Sequence, residues 1–198
     1  MKLNPLSFIP NCTNSQLFNL DQLYQDYVKP TNVNLYPTPE LCQSLIDRIP
    51  NITYGGYGEN RGTIFANTYL SQTKKFIHLG VDINVEYGTV IRLPFDVTVL
   101  NRFTDVDIKL GWGGRMIVEV KKNKPALVFA HLDYTLLPHK TYIKAGEMLG
   151  IVGTWPTNGN TFEHLHIQAI DHRNFHNFDG YGHAFELAYN PDPFSIDF

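Results

Sequence analysis

Three short segments of this 198-residue chain carry side chains that can bind a metal ion and move protons. One of them, His164-Leu165-His166, lies in an apolar run. Because side chains alternate along a strand, both imidazoles are expected on one face, about 7 Å apart, while Leu165 and Ile167 point into a core. One ring could then bind a metal ion while its neighbour reaches the water or substrate beside it. An isolated pair of this kind also occurs in ordinary strands.

The second segment, His78-Leu79-Gly80-Val81-Asp82, sets an imidazole and a carboxylate four residues apart. Both groups are zinc ligands. On a straight strand their Cα atoms would be roughly 13 Å apart, too far for two side chains to share an ion that each binds at about 2 Å. The chain must therefore bend between them, and Gly80 allows the bend. Without a metal ion, His78 could instead be an ordinary surface histidine and Asp82 a capping residue.

The third segment ends in His131, which closes the apolar run 127–132. A lone histidine at a strand end is usually structural. Taken together, however, the three segments offer more ligands than a zinc ion needs. Two histidines and one carboxylate make a three-ligand site with a free position, as in catalytic zinc sites. The two remaining histidines could then give and take protons near neutral pH.

The elements that must position these side chains are mostly strands. From residue 61 onward, short runs rich in Val, Ile, Thr and Phe alternate with clusters of Gly, Pro, Asn and Asp. This pattern predicts a mainly β fold of the α+β class, in which an antiparallel sheet forms a sandwich or barrel-like core. The predicted strands are residues 81–85, 90–93, 97–103, 115–120, 126–132, 148–152 and 164–170.

The N-terminal residues have a different composition that predicts helices. Leucines and tyrosines at helical spacing predict one helix over residues 17–27, and Thr38-Pro39 is typical of the start of a second. We therefore divide the chain into a helical N-terminal cap or extension, residues 1–54, and one domain, residues 55–198. If the cap lay over the cleft, its removal would raise turnover.

Composition limits the classes of function and partner. A net charge of −3 gives no sign of a basic surface that would bind nucleic acid. The sequence has no run of eighteen apolar residues, which is the length needed to span a membrane. The N-terminus does not resemble a secretory signal, which favours the cytoplasm, with the periplasm or secretion open if export uses another route. Cys12 and Cys42 predict free thiols or a single disulfide. We expect a monomer.

The order and flanks of the three segments resemble the lysostaphin-like (beta-lytic, LytM-type) zinc endopeptidases over residues 54 to 171. The resemblance covers His78-x-x-x-Asp82, Ala130-His131-Leu132 and His164-Leu165-His166, together with Gly88-Thr89-Val90, Lys144-Ala145-Gly146-Glu147 and the Gly153 turn. Residues 155–160 and the tail, 179–182 and 190–193, are most similar to a different branch. That branch is the peptidase-like domain found fused to phosphotransferase and aminotransferase domains.

The resemblance implies one zinc ion per chain, held by His78, Asp82 and His166. His131 and His164 would flank the open position, orient or deprotonate the water that zinc activates, and protonate the leaving amine. The implied activity is that of a zinc-dependent metallo-endopeptidase acting on a peptide or amide bond, in peptidoglycan or a related peptide fragment. A non-hydrolytic homologue that binds zinc or a ligand, or regulates a partner, is the alternative.

Three further residues could contact a substrate. Tyr57 and Arg61 lie in the glycine-rich approach to His78 and could hold a substrate carboxylate. Glu163 stands before the H-x-H motif, where the family commonly has a small residue or proline. Its carboxylate could narrow the groove, select basic groups or simply face water. Trp112, between two glycines, is either an exposed hairpin tip or a wall of the groove.

Overall fold

Strands make up most of the fold, which is a computed structural model that describes residues 2–9, 15–20, 22, 26, 39–47, 52–65, 70–105, 111–159, 161–171 and 178–198. The strands are β1 Ser15–Phe18, β2 Ile52–Gly55, β3 Ile77–His78, β4 Val81–Asn84, β5 Val90–Arg92, β6 Val97–Asp105, β7 Gly113–Glu119, β8 Ala126–Leu132, β9 Tyr142–Ile143, β10 Met148–Ile151, β11 His164–Ile170 and β12 Tyr181–Gly182. The α-helices are α1 Pro39–Ile46 and α2 Leu70–Thr73, and 3-10 helices cover Pro5–Phe8, Tyr134–Leu136 and Ala184–Ala188. The seven strands predicted from the sequence are all present, each within two residues of its predicted bounds.

One eight-stranded sheet carries the fold, in the order β1-β2-β4-β11-β8-β7-β6-β9. Its strands are antiparallel neighbours except β1 and β2, which run parallel, so the sheet is mixed. Two smaller sheets pair β10 with β5 and β12 with β3. The prediction of a mainly β fold is confirmed.

The centre of the sheet explains why one face can carry chemistry. Every residue of β8 and β11 is buried. Along β11, Leu165 and Ile167 enter the main hydrophobic core, where they join Phe129 of β8. The alternation of side chains leaves His164 and His166 on the opposite face. This is the arrangement that the sequence predicts.

The N-terminal residues depart from their prediction at one point. Ser15–Phe18 forms the edge strand β1 and not the start of a helix, because it pairs with β2 and buries Phe18 while Leu17 stays exposed. Helix α1 begins at Pro39 as predicted. Within the first predicted helix, Leu20, Gln22 and Asp26 are helical, and the other residues from 21 to 27 lie outside the described ranges. Cys12 and the side chain of Cys42 also lie outside them, so the thiol prediction stays untested. The division at residue 54 also stays a prediction.

Across the described ranges, each helix is too short or too polar to cross a lipid bilayer.

Candidate metal centre

The three segments singled out in the sequence meet on one face of the sheet. His166 on β11 lies directly opposite Asp82 on β4 and opposite Ala130 on β8. His131 follows Ala130 in β8, and His78 ends β3 just before β4 begins. The two central strands and their neighbours therefore bring together residues that are far apart in the chain.

The donor atoms of His78, Asp82 and His166 form a compact triangle. Asp82 Oδ1 lies 3.3 Å from His78 Nε2 and 3.0 Å from His166 Nδ1, and the two ring nitrogens are 3.1 Å apart. Ligands held by zinc at about 2.0–2.1 Å in a tetrahedron lie roughly 3.3–3.4 Å from each other. Among the described residues, this is the one group of three that could hold a metal ion. Its spacing fits zinc.

Hydrogen bonds fix which nitrogen of each ligand histidine is free to bind a metal. His78 Nδ1 lies 3.0 Å from the carbonyl oxygen of Gly56, which can only accept, so Nδ1 donates and Nε2 keeps its lone pair. His166 Nε2 lies 3.2 Å from Gln168 Oε1. The Gln168 amide is oriented by its nitrogen, which donates to the Asp179 carbonyl at 3.1 Å. His166 Nε2 therefore donates too, which leaves Nδ1 free.

Asp82 presents one carboxylate oxygen to the histidines because an arginine side chain binds the other. Arg61 Nη1 lies 2.9 Å from Asp82 Oδ2, and Arg61 itself is only 2 % exposed. Arg61 also donates to Glu59 and to the Tyr181 hydroxyl, both at 2.9 Å. Burial alone raises the pKa of Asp82, but the contributions of His78 and Arg61 outweigh it and hold the pKa well below its usual range. Asp82 is thus a carboxylate at neutral pH.

Three histidines of the site, His78, His131 and His164, are neutral at neutral pH. Burial, followed by the nearby charge of Arg61, lowers the pKa of His78 to about 3. Burial, followed by the neighbouring His164 and His166, holds the pKa of His131 well below its usual range. Burial also lowers the pKa of His164. Neutral imidazoles are the form that binds metals and accepts protons.

The remaining two histidines stand side by side next to the ligand triangle. The ring centroids of His131 and His164 are 4.5 Å apart, and His164 Nε2 lies 3.6 Å from Asp82 Oδ1. His164 Nδ1 donates to the carbonyl oxygen of Phe162 at 2.8 Å. His164 Nε2 therefore carries a lone pair and faces the site.

His131 is held in a strained backbone conformation. Its φ is 60°, a left-handed value that costs a side-chain-bearing residue about 1–2 kcal/mol. Its backbone donates to Trp112 O at 2.9 Å and accepts from Gly153 N at 2.7 Å. The Trp112 ring stacks on the His131 ring at 17° and meets the His166 ring edge-on at 5.7 Å. Trp112 is therefore a wall of the site and not an exposed hairpin tip.

The bend between the first two ligands depends on Gly80 for a reason the sequence did not give. The φ of Gly80 is not left-handed, so backbone freedom is not what requires glycine. A Cβ at this position would lie 2.5 Å from His166 Cε1 and 2.7 Å from the carbonyl oxygen of Ile167. Any larger residue would displace the His166 ring. The close approach of β11 to the bend selects glycine.

The three residues predicted to contact substrate all have partners within the protein. The Tyr57 hydroxyl donates to the Asn190 carbonyl at 2.9 Å. Arg61 faces Glu59 and Asp82, as described above. Glu163 accepts from Tyr87 N at 2.6 Å and from Thr154 Oγ1 at 2.9 Å, so it joins two loops. The substrate contacts predicted for Tyr57, Arg61 and Glu163 stay predictions.

Four residues that orient the ligands and His164 were not predicted from the sequence. Gln168 is two positions after His166 on a predicted strand, so strand alternation places it on the same face and could have identified it. Asn190, which accepts from Gln168 Nε2 at 2.7 Å, gives no such signal. Gly56 and Phe162 act through their backbone carbonyl oxygens, which carry no side-chain signature.

A mainly β fold thus brings a histidine–aspartate–histidine triangle together beside two further histidines. Residues 76–178, which are 103 of the 198 residues, match the profile of peptidase family M23. The chain belongs to this family of zinc-dependent metallopeptidases. The resemblance inferred from the sequence is confirmed.

Several solved structures are similar to this chain. LytU is 24 % identical over 59 % of this chain and 69 % of its own, with a TM-score of 0.41. Lysostaphin from Staphylococcus simulans is 20 % identical over 59 % of this chain and 42 % of its own, with a TM-score of 0.42. A zinc-containing peptidase from Vibrio cholerae is 22 % identical over 48 % of this chain and 27 % of its own, with a TM-score of 0.40. The chain thus spans between 27 % and 69 % of their lengths. A comparison with curated proteins found no match.

Proposed function

We propose that this protein is a zinc-dependent endopeptidase that hydrolyses a peptide or amide bond, in peptidoglycan or a related peptide. The observation that carries the proposal is the triangle of free donor atoms on His78, Asp82 and His166, 3.0–3.3 Å apart. All three side chains are buried. The hydrogen bonds to Gly56 and Gln168 occupy the other nitrogen of each histidine and leave the donor atoms free to bind a metal ion. The donor set of two imidazoles and one carboxylate is that of catalytic zinc sites.

These residues fit one zinc ion per chain. Zinc bound there supplies a Lewis acid that polarises the scissile carbonyl and makes water a better nucleophile near neutral pH. Gly56 and Gln168 hold the ligand rings in the required tautomers. Arg61 holds Asp82 so that Oδ1 is presented to the metal.

His164 and His131 handle the protons of the reaction. His164 Nε2 accepts a proton from the attacking water as the water oxygen bonds to the carbonyl carbon. The neutral His131 donates a hydrogen bond to the carbonyl oxygen as negative charge develops there. The same proton then passes from His164 to the leaving nitrogen as the carbon–nitrogen bond breaks. The strained φ of His131 fits this task, since strain of this kind clusters at functional sites.

The experiment is digestion of purified muropeptides and of a peptide library by the zinc-loaded protein, with products identified by mass spectrometry. His131→Ala and His164→Ala should keep zinc and lose activity, whereas His78→Ala should lose both. His139→Ala is the matched control, because His139 is an exposed histidine outside the site. Full hydrolysis by His164→Ala would contradict the assigned roles. Zinc binding without hydrolysis of any peptide would support the alternative, a non-hydrolytic zinc- or ligand-binding homologue.

A further inference from the structure

An open groove with aromatic walls adjoins His131. It has a volume of about 330 Å³, and its lining includes Tyr87, Tyr134 and Trp155, which are 53 %, 38 % and 59 % exposed. These are three of the seven exposed aromatic side chains among the described residues. Large apolar side chains gathered at one exposed place commonly mark a binding site.

Two residues that line the groove are directly attached to the backbone around His131. Asp133, a lining residue, is two positions beyond His131 and follows the end of β8. Gly153, on the opposite loop, donates its backbone N–H to the His131 carbonyl at 2.7 Å. The groove therefore lies beside the end of β8 that carries His131.

The charge of the groove is negative. Asp133 contributes a carboxylate whose hydrogen bonds come from neutral donors, the backbone N–H and hydroxyl of Thr135. A second carboxylate, that of Glu163, lies directly behind the lining, bonded to Tyr87 N and Thr154 Oγ1. No lysine or arginine is among the residues that line the groove. Neither carboxylate is neutralised by a cation among these contacts.

We propose that this groove binds an ammonium group of the substrate, on a side chain or chain terminus close to the scissile bond. Aromatic ring faces attract cations through their quadrupole, and the carboxylates add a direct electrostatic attraction. A neutral apolar group would use the rings alone and would bring no positive charge to the carboxylates. This inference rests on the proposed function for the position of the scissile bond, but binding of the ammonium group can be measured without hydrolysis.

The test uses matched small probes and the zinc-loaded protein. Nα-acetyl-lysinamide carries the ammonium group, and Nα-acetyl-norleucinamide has the same alkyl chain without it. The chain has two tryptophans, so a ¹⁵N spectrum shows two indole signals, and Trp155→Phe assigns them. We expect the Trp155 signal to shift saturably with the lysine probe and at least about threefold more weakly with the norleucine probe. The difference should shrink as salt is added.

Variants then separate the contributions. Trp155→Ala and Asp133→Asn should each weaken binding of the lysine probe about two- to fivefold. Phe185→Ala is the control, since Phe185 is exposed but does not line the groove. Equal binding of both probes would refute the ammonium site and favour an apolar or sugar ligand. An unshifted Trp155 signal would refute any binding of the probes in this groove.

Hydrolysis gives an independent readout. For peptides with an amine near the scissile bond, Trp155→Ala should raise KM about two- to fivefold and leave kcat unchanged. Peptides with the amine acetylated should be less sensitive to the substitution, because they interact with the rings alone. If the probes bind as expected but no peptide is cut, the proposed function fails while the ammonium site stands. If peptides are cut without preference for the amine, the ammonium site fails alone.

Discussion

Replacing Gln168 with methionine tests whether a hydrogen bond behind the metal centre sets the state of a ligand. In the wild-type protein Gln168 Oε1 accepts from His166 Nε2 at 3.2 Å, which keeps the proton away from His166 Nδ1. Methionine has a similar volume and cannot accept this bond with comparable strength. The His166 ring would then be free to place its proton on Nδ1, where it blocks the metal.

The substitution is expected to change both zinc affinity and stability. Loss of a group that orients a ligand histidine typically lowers metal affinity about 10–100-fold. The substitution also removes the donor to the Asp179 carbonyl and to Asn190 Oδ1, at 3.1 and 2.7 Å. Leaving such buried acceptors unpaired costs about 1–3 kcal/mol of the free energy of unfolding. The loss of zinc affinity and the loss of stability are therefore measured separately.

Zinc affinity is measured by competition with a chromophoric chelator, and stability by urea unfolding of the zinc-free protein. Ile143→Val is the control for destabilisation alone, because Ile143 is buried in β9, at the far edge of the sheet order. It should cost about 0.5–1.5 kcal/mol and leave zinc affinity unchanged. If Gln168→Met binds zinc within twofold of the wild-type protein, the tautomer argument is wrong.

Three other predictions concern the same centre. Arg61→Met should lower the free energy of unfolding of the zinc-free protein by about 3–5 kcal/mol in urea, because Asp82 is left as an unpaired buried charge; a loss below about 1 kcal/mol would contradict the pairing. Gly80→Ala should weaken zinc binding in the chelator assay by more than about tenfold, since its Cβ meets the His166 ring; unchanged affinity would mean that the ring can move aside at no cost. Zinc at about one hundred times its Kd should stabilise the wild-type protein by about 2.7 kcal/mol in thermal unfolding, and His78→Ala should abolish this gain; an equal gain in both proteins would place the zinc elsewhere.

The sequence alone determined the local part of this centre. Strand alternation placed His164 and His166 on one face and Leu165 in the core, because that alternation is a property of the extended backbone itself. Short apolar runs between turn residues likewise located the strands that carry His131 and Asp82. The types and order of these residues also identified the family, which residues 76–178 confirm.

Only the tertiary structure decided what surrounds the ligands. Gln168 and Arg61 act on groups that strand pairing and loop packing bring near them, and Arg61 reaches the Tyr181 hydroxyl 120 positions later in the chain. The same is true of Leu17 and Phe18, which helical spacing assigns to the start of a helix. Pairing of Ser15–Phe18 with Ile52–Gly55 makes them part of a strand. Local sequence patterns reflect the conformational preferences of neighbouring residues. These contacts depend instead on where distant backbone segments meet, and the spacing of residues along the chain does not specify which segments come together.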